Sequence, residues 1–418
     1  MRLSNRLAAI PAFPLLFGLL IGLILLGVPL AAAHAASTTH KRSTSSSSPS
    51  SPARAQTCST WTAVSSPNVG THPTTLNSVA AITVNDVWSV GFYYPSNMSS
   101  KTVIEHWNGT GWSVVPGANT GSSYSFLLGV AALSSQDVWA VGNYLPSTSQ
   151  TLIEHWNGTR WSIVPSPNIS GVDNNLKAIA ATSASDIWAV GYYVNSSDVN
   201  QILIEHWDGS SWSIVSSPNA GSGGNSLWAV AASSANNVWA VGNFRSTTTS
   251  TVFQTLVEHW NGSSWSIVSS PNVGSLGSSL SGVTAVSANN VWVVGSYIVA
   301  GSPSNYNQTL TERWNGSTWS VVSSPDVGSN WNILESVTNI SAANVWAVGY
   351  YENSKNDGQT LTEHWNGKAW KVVSSSNVGI DTFLQAVTPI PGTSELWAVG
   401  SYHQTLHTVS QTLTEFYC

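Results

Sequence analysis

The sequence predicts an all-β fold: a seven-bladed β-propeller, four antiparallel strands per blade, with the last blade closed by the N-terminal strand. Three phrases predict it by recurring seven times each. VWAVG has its Trp at 88, 139, 188, 239, 292, 346 and 397; EHWNG has its Glu at 105, 154, 205, 258, 312, 363 and 415; WSIVSSPN has its Trp at 61, 112, 161, 212, 265, 319 and 370. Every spacing falls between 49 and 54 residues, the period of a repeat architecture. The strand runs inside each unit and the register of the chain ends complete the prediction.

The first element is an export signal, residues 1–36. Met1–Arg6 carries Arg2 and Arg6, Leu7–Ala33 has no charge, and Ala33-His34-Ala35 supplies small residues for cleavage. The apolar run is long enough to span a bilayer, so an uncleaved membrane anchor is the alternative; Pro11, Pro14 and Pro29 favour cleavage. Either way the remainder is expected outside the cytoplasm, secreted or held at the cell envelope. Residues 37–57 are Ser/Pro-rich with almost nothing apolar, which predicts a disordered linker.

Residues 58–418 form the predicted ring. In the third unit the runs Leu176–Thr182, Ile187–Tyr193, Ile202–Trp207 and Trp212–Ser216 are rich in Val, Ile, Trp and Thr and alternate in polarity. Asn-Gly or Asp-Gly follows the third run, as at Asn157-Gly158 and Asp208-Gly209, predicting a tight hairpin with positive φ at both residues. Four short strands at this period, without helical pattern, describe propeller blades. A transmembrane β-barrel needs longer, less punctuated strands.

The chain ends complete one another. Trp61–Asn68 reads as a fourth strand without its first three, and Gln411–Tyr417 as a third strand without its fourth. Their pairing removes a seam with two open sheet edges. Cys58 and Cys418 fall at the turn positions occupied by Gly and Asn in the other blades, so a Cys58–Cys418 disulfide is predicted, as an oxidising compartment allows.

Composition narrows the function. Five of the 13 basic residues precede Cys58, leaving eight against 19 acidic ones, a balance of -11. Such a body suits neither nucleic acid nor anionic lipid. Twenty of the 22 Trp residues sit at the three repeated positions, Trp228 and Trp331 being the exceptions. Sevenfold repetition on strands points to packing between blades. The repeated Glu reads as a carboxylate held between blades by backbone or hydroxyl donors. The following His106, His155, His206, His259 and His364 lie one per blade, which does not converge on a metal. The polar residue before VWAVG, such as Asp86, reads as a turn-holder. No catalytic, cofactor-binding or metal-binding residue is assigned.

What does not repeat is the better guide to binding. Second-to-third and fourth-to-first connections emerge on one face and vary in length, and binding residues favour such loops. Tyr94, Tyr144, Tyr193, Phe244, Tyr297, Tyr351 and Tyr402 stand at their mouths as candidate ligand-face residues; strand-end packing is the alternative. A few non-repeated ionisable residues fall on or near first strands: Lys177, Glu335 and Asp381.

The three phrases resemble those of secreted bacterial propeller repeat proteins of broadly kelch and galactose-oxidase-like architecture, over roughly residues 58–418. The resemblance implies the fold and no activity. The double-glycine kelch signature, the Gly-His…Trp-Asp unit and the sialidase-type box are missing. Copper-radical oxidases of this shape use a cysteine cross-linked inside the domain, whereas both cysteines here belong to the seam, so no catalytic residue is carried over. The expectation is a monomeric, rigid binding scaffold for a glycan or a protein. An extracellular glycan-active hydrolase or lyase with a site near the axis is the alternative.

Overall fold

Four-residue Asn-Gly loops, glycine-backed bulges and interlocking tryptophans build seven near-identical sheets around one axis. The computed structural model describes residues 59–418 apart from 97–98, 119, 302–304, 329 and 406–407. The predicted leader, the linker and Cys58 lie outside the described residues. Each of seven sheets has four antiparallel strands in the order first, second, third, fourth. Blades are numbered here from the one beginning at Thr74. The first strands of consecutive blades neighbour each other, and that of blade seven (Asp381–Pro389) neighbours that of blade one (Thr74–Thr83), closing a ring. No described residue is helical, and no described helix is long and apolar enough to cross a membrane.

The strands differ in length from inside to outside for a chemical reason. Blade three consists of Asn174–Ser183, Asp186–Val194, Asn200–Trp207 and Trp212–Ile214. Its first three strands extend beyond the predicted runs, and its fourth stops earlier. In this fourth-strand segment a proline follows, which has no N–H to donate to a ladder. The repeated Asn at the next position, which in blade six follows Ser376 rather than a proline, supplies an acceptor there. Asn219 Oδ1 accepts from Ile202 N at 3.1 Å, Asn272 Oδ1 from Thr255 N at 2.8 Å and Asn377 Oδ1 from Thr360 N at 2.9 Å. A side-chain carbonyl thus satisfies the third-strand donor that the departing backbone leaves open.

The Asn-Gly turn differs from the predicted two-residue hairpin. Trp107 pairs with Trp112, so the loop holds four residues, Asn108 to Gly111. Gly109 alone adopts positive φ, at 91°. Asn108 Oδ1 instead accepts from Thr110 N at 3.0 Å and Gly111 N at 3.1 Å. The Asn is there for its acceptor, as in an Asx-turn.

Tryptophans fasten each blade to the next. The second-strand Trp188 of blade three is 1 % exposed. Third-strand Trp260 of blade four packs on it at 4.9 Å between ring centroids, and fourth-strand Trp265 meets it edge-on at 5.3 Å. The same trio recurs around the ring, for example Trp139 with Trp207 and Trp212. At the closing boundary Tyr417 and Trp61 stand on Trp346, at 4.5 and 5.9 Å. Hydrophobic clusters therefore straddle blade boundaries, with Leu227 and Leu256 joining Val190 and Ile204 across one of them. Truncating one such buried Trp to Ala would cost about 3–5 kcal/mol. Closure itself follows the predicted register, Trp61 opposite Tyr417 and Val64 opposite Thr414.

Candidate functional site: the axial channel

Each first strand carries a β-bulge at one place. The register slips between Leu76 and Ser78, Leu127 and Gly129, Leu176 and Ala178, Leu227 and Ala229, Leu280 and Gly282, Leu334 and Ser336, and Leu384 and Ala386. The residues skipped are Asn77, Leu128, Lys177, Trp228, Ser281, Glu335 and Gln385. A bulge re-aims a side chain, and all seven line a central channel of about 170 Å³. They are half-buried. Their neighbours repeat strictly, a buried Leu before and a Ser, Gly or Ala after, yet no two of the seven are alike.

The Gly of VWAVG is what admits the bulge. A Cβ on Gly242 would stand 1.9 Å from Ser226 O, and one on Gly191 would stand 2.0 Å from Asn175 O. The first-strand carbonyl just before the repeated Leu occupies the space a side chain would need. The small residue after the bulge serves the axis side, since a Cβ on Gly129 would meet Ala178 Cα at 3.1 Å.

The lining is polar, with one group of each charge. Lys177 is the only basic residue lining the channel among the described residues. Its Nζ lies over the rings of Tyr192 and Trp228, at 5.4 and 5.5 Å from their centroids. It makes no ion pair or hydrogen bond among the described residues, and burial lowers its pKa to about 8. Glu335 stands three blades away in a ring of seven, near the far side of the axis. Burial raises its pKa to about 7, and it helps push up the Tyr350 hydroxyl, which burial raises most. Asn77 is partly committed, its Nδ2 donating to Leu127 O at 2.8 Å. Aromatic pairs stand across three blade boundaries: Phe92 with Phe126 at 5.0 Å, Tyr192 with Trp228 at 5.9 Å, and Tyr350 with Phe383 at 4.9 Å.

The chain matches no protein-family model and no curated protein. Among solved structures it is similar to YCF48 bound to D1 peptide, at 12% identity and a TM-score of 0.50, covering 85% of this chain and 96% of that one. YjhT aligns at 11% identity, 72% and 98% coverage and a TM-score of 0.47. The SapL1 lectin in complex with alpha methyl fucoside aligns at 13%, 72% and 96%, with a TM-score of 0.43. The first likeness is one of fold alone. The fold is a β-propeller.

Within this propeller the candidate loop-mouth residues lie elsewhere than the channel lining. Tyr144, Tyr193, Phe244, Tyr297, Tyr351 and Tyr402 are half-buried against the inter-blade clusters. Tyr144 and Tyr402 hydroxyls donate to Gln150 and Gln411 at 2.8 and 2.6 Å, and Tyr297 donates to Gln308. In blade one the equivalent position is Tyr93, opposite Thr74. Tyr94 is displaced by one and stands edge-on to Phe92 at 5.6 Å. Of the three ionisable candidates, Lys177 and Glu335 reach the channel and Asp381 does not line it. Asp381 begins its strand, and its Oδ1 accepts from Gly358 N at 2.9 Å. Cys58 lies outside the described residues, so the predicted bridge to Cys418 is not described.

The repeated Glu and His belong to the scaffold. The seven Glu are 0 % exposed. Glu154 Oε2 accepts from Ala118 N at 2.9 Å, and Ser217 Oγ donates to Glu258, in both cases from the preceding blade's outgoing segment. Glu105 and Glu312 have both oxygens buried without a hydrogen-bond partner among the described residues. Burial raises the pKa of six of the seven to about 8 and of Glu154 to about 7. The group expected as a carboxylate is therefore largely protonated near pH 7 in six blades, and in blade two it is divided between the two forms. His206 packs on Trp188 at 4.1 Å between ring centroids, and its Nε2 is 2.7 Å from Asp186 Oδ1. Asp186 thus holds the His and, through its Oδ1, the Trp188 indole N–H at 3.1 Å, beyond the local turn role expected. Among the described residues no cluster of His, Cys, Asp and Glu is arranged to hold a metal.

Proposed function

We propose that this protein is an exported, non-enzymatic binding scaffold that takes its ligand at the axial channel, entered from the face of the variable loops. One observation carries the reading. Seven bulged positions, equivalent in backbone, present seven different side chains to one small space, while the positions around them repeat. A structural position in a repeat tends to repeat its residue, whereas a shared asymmetric ligand at the axis would favour different ones. The bulges fall at the fourth residue of the first strand in six blades and the fifth in blade seven, near the end where the fourth-to-first connections enter, which suits entry from that face. The uncharged run Leu7–Ala33 and its small-residue cleavage site support export.

Hydrolysis of a glycan is the second reading, and Glu335 is the observation in its favour: a carboxyl with a pKa raised to about 7 suits a general acid. Glycoside hydrolysis usually takes two carboxyls about 5–10 Å apart. Glu335 is the one carboxyl lining the channel among the described residues, so binding is preferred.

A glycan array and a peptide array probed with the full chain, collected from the export fraction, test the proposal. The expected result is a restricted set of hits that Ser281→Trp, which fills the channel, reduces at least 10-fold while the melting temperature holds. Hits indifferent to Ser281→Trp would place binding elsewhere. Turnover of a bound glycan, lost in Glu335→Gln, would establish the enzyme reading.

A further inference from the structure

The channel reads as a site for one small anionic group. Its volume of about 170 Å³ lies below the roughly 300–1,000 Å³ of sites for drug-sized ligands, so it admits a single residue or terminal group rather than a chain. Lys177 is its outstanding feature. The ring carries a strong acidic excess, yet this one ammonium is enclosed at the axis without a carboxylate beside it. A charge drawn partly out of water with no partner is costly, and two aromatic faces compensate only in part. The ammonium has three N–H donors, and none has an acceptor among the described residues. An incoming carboxylate would meet all of these conditions. The rest of the lining says what the carboxylate is attached to. Trp228 and Tyr192 offer ring faces beside the ammonium. Ser281, Gln385 and the protonatable Glu335 offer hydroxyl, amide and carboxyl groups around the remaining circumference. Leu128 is the single aliphatic residue of the bulged set. Such a wall suits a ligand carrying hydroxyls around its rim and C–H groups on its face, and serves an apolar peptide side chain badly.

We propose that the axial channel binds a single carboxylate-bearing sugar residue, its carboxylate at Lys177 Nζ and its ring against Trp228 and Tyr192. The inference rests on the axial site proposed above and names its ligand class. Ser281, Gln385 and Glu335 bond the sugar hydroxyls from across the axis. The residue is free or terminal on a longer glycan that continues out over the loop face.

Titration calorimetry of the full chain with glucuronate, galacturonate and N-acetylneuraminate, against glucose and galactose, tests it. At least one acidic sugar should bind, with the neutral sugars about 10-fold weaker or worse. Lys177→Met should weaken the acidic sugar about 10-fold or more and erase that preference, while Lys177→Arg should retain most of it. Neutral sugars binding as well as acidic ones, no acidic sugar binding, or an unchanged affinity in a folded Lys177→Met would overturn the inference. The wild-type comparison alone decides if that variant does not fold. Neutral glycans bound in a manner sensitive to Ser281→Trp would sink the carboxylate assignment and spare the axial site. Glycan binding indifferent to that change would sink both.

Discussion

Glu312 illustrates what a repeated residue does at the scale of one side chain. Its carboxyl is 0 % exposed, both oxygens lack a hydrogen-bond partner among the described residues, and burial raises its pKa to about 8. Burial disfavours the charged form, so the group folds as an acid and not as a carboxylate. The consequence for stability has a definite sign. An unfolded Glu loses its proton near pH 4.5 and this one near 8. Between those values the native state holds more protons, so raising the pH favours unfolding. The contribution is fully present below about pH 4.5 and is lost as pH rises through about 8. The other six repeated Glu are shifted in the same direction, which makes acid-side stability a property of the whole ring. Glu312→Gln is the direct check, because the amide mimics the neutral acid and cannot ionise. At pH 5 thermal or urea unfolding should place the variant within about 1 kcal/mol of the parent, as for a volume-conserving exchange. At pH 9 it should be the more stable by about 1 kcal/mol or more, since a tenfold change in proton affinity between the folded and unfolded chain is worth about 1.4 kcal/mol. Parallel loss of stability with pH in parent and variant would mean that Glu312 is ionised in the fold.

At the scale of the element, the bulged first strand and the second strand behind it form one device. The Gly of VWAVG lets a carbonyl approach, the approach permits the bulge, and the bulge turns one side chain to the axis. Gly242→Ala should therefore do two things at once. Its Cβ would lie 1.9 Å from Ser226 O, which forces the strands apart at a cost of about 2–3 kcal/mol. It should also displace Trp228 and weaken axial binding, measured by unfolding and by titration of a ligand found on the arrays. A destabilised variant with unchanged affinity would show that the glycine serves the sheet alone. This coupling explains what was legible in the sequence. Phrases that repeat sevenfold revealed strands, blade count, closure and the packing role of the tryptophans, because each depends on residue type at a fixed spacing. The axial site is written in a first-strand position that does not repeat, between the Leu and a Ser, Gly or Ala. Lys177, Trp228 and Glu335 each stood out as non-repeating residues. Periodicity alone could not unite them, because a bulge breaks the alternation by which a strand's inward residues are read. The loop-mouth residues of blades two to seven recur at one register position, as packing residues do, and none of them lines the channel.

The whole molecule depends on one seam. Six blades carry a covalent loop between third and fourth strands, and the seventh joins Gln411–Tyr417 to Trp61–Val64 from opposite ends of the chain. The geometry of the missing loop is nevertheless kept. In blade two Asn157 N donates to Arg160 O at 3.3 Å, and at the seam Cys418 N donates to Thr60 O at 3.2 Å. Further bonds cross the gap: Thr412 N to Asn68 Oδ1 at 2.9 Å and Thr414 Oγ1 to Val64 O at 2.7 Å. Ser376 of blade six adds a hold on the N-terminal strand, its Oγ accepting from Ala63 N at 3.2 Å. With Cys418 at the turn Asn position and Cys58 at the turn Gly position, a disulfide would restore the covalent link that the other blades have. The chain-entropy model gives a bridge spanning so long a loop about 5–6 kcal/mol, and real bridges often give less. Without it, the terminal strands are the place where the ring would open, since chain ends are the least stable part of most domains. Mass spectrometry of the non-reduced, protease-digested protein from the export fraction should therefore find the two terminal peptides linked. Reduction should raise hydrogen exchange first at Trp61–Val64 and Gln411–Tyr417, and only later in blades two to five. Cys418→Ser should reproduce that pattern without reductant. Two free thiols in the exported protein, or exchange that rises evenly around the ring, would mean that strand pairing and the Trp61–Trp346 contact hold the seam unaided.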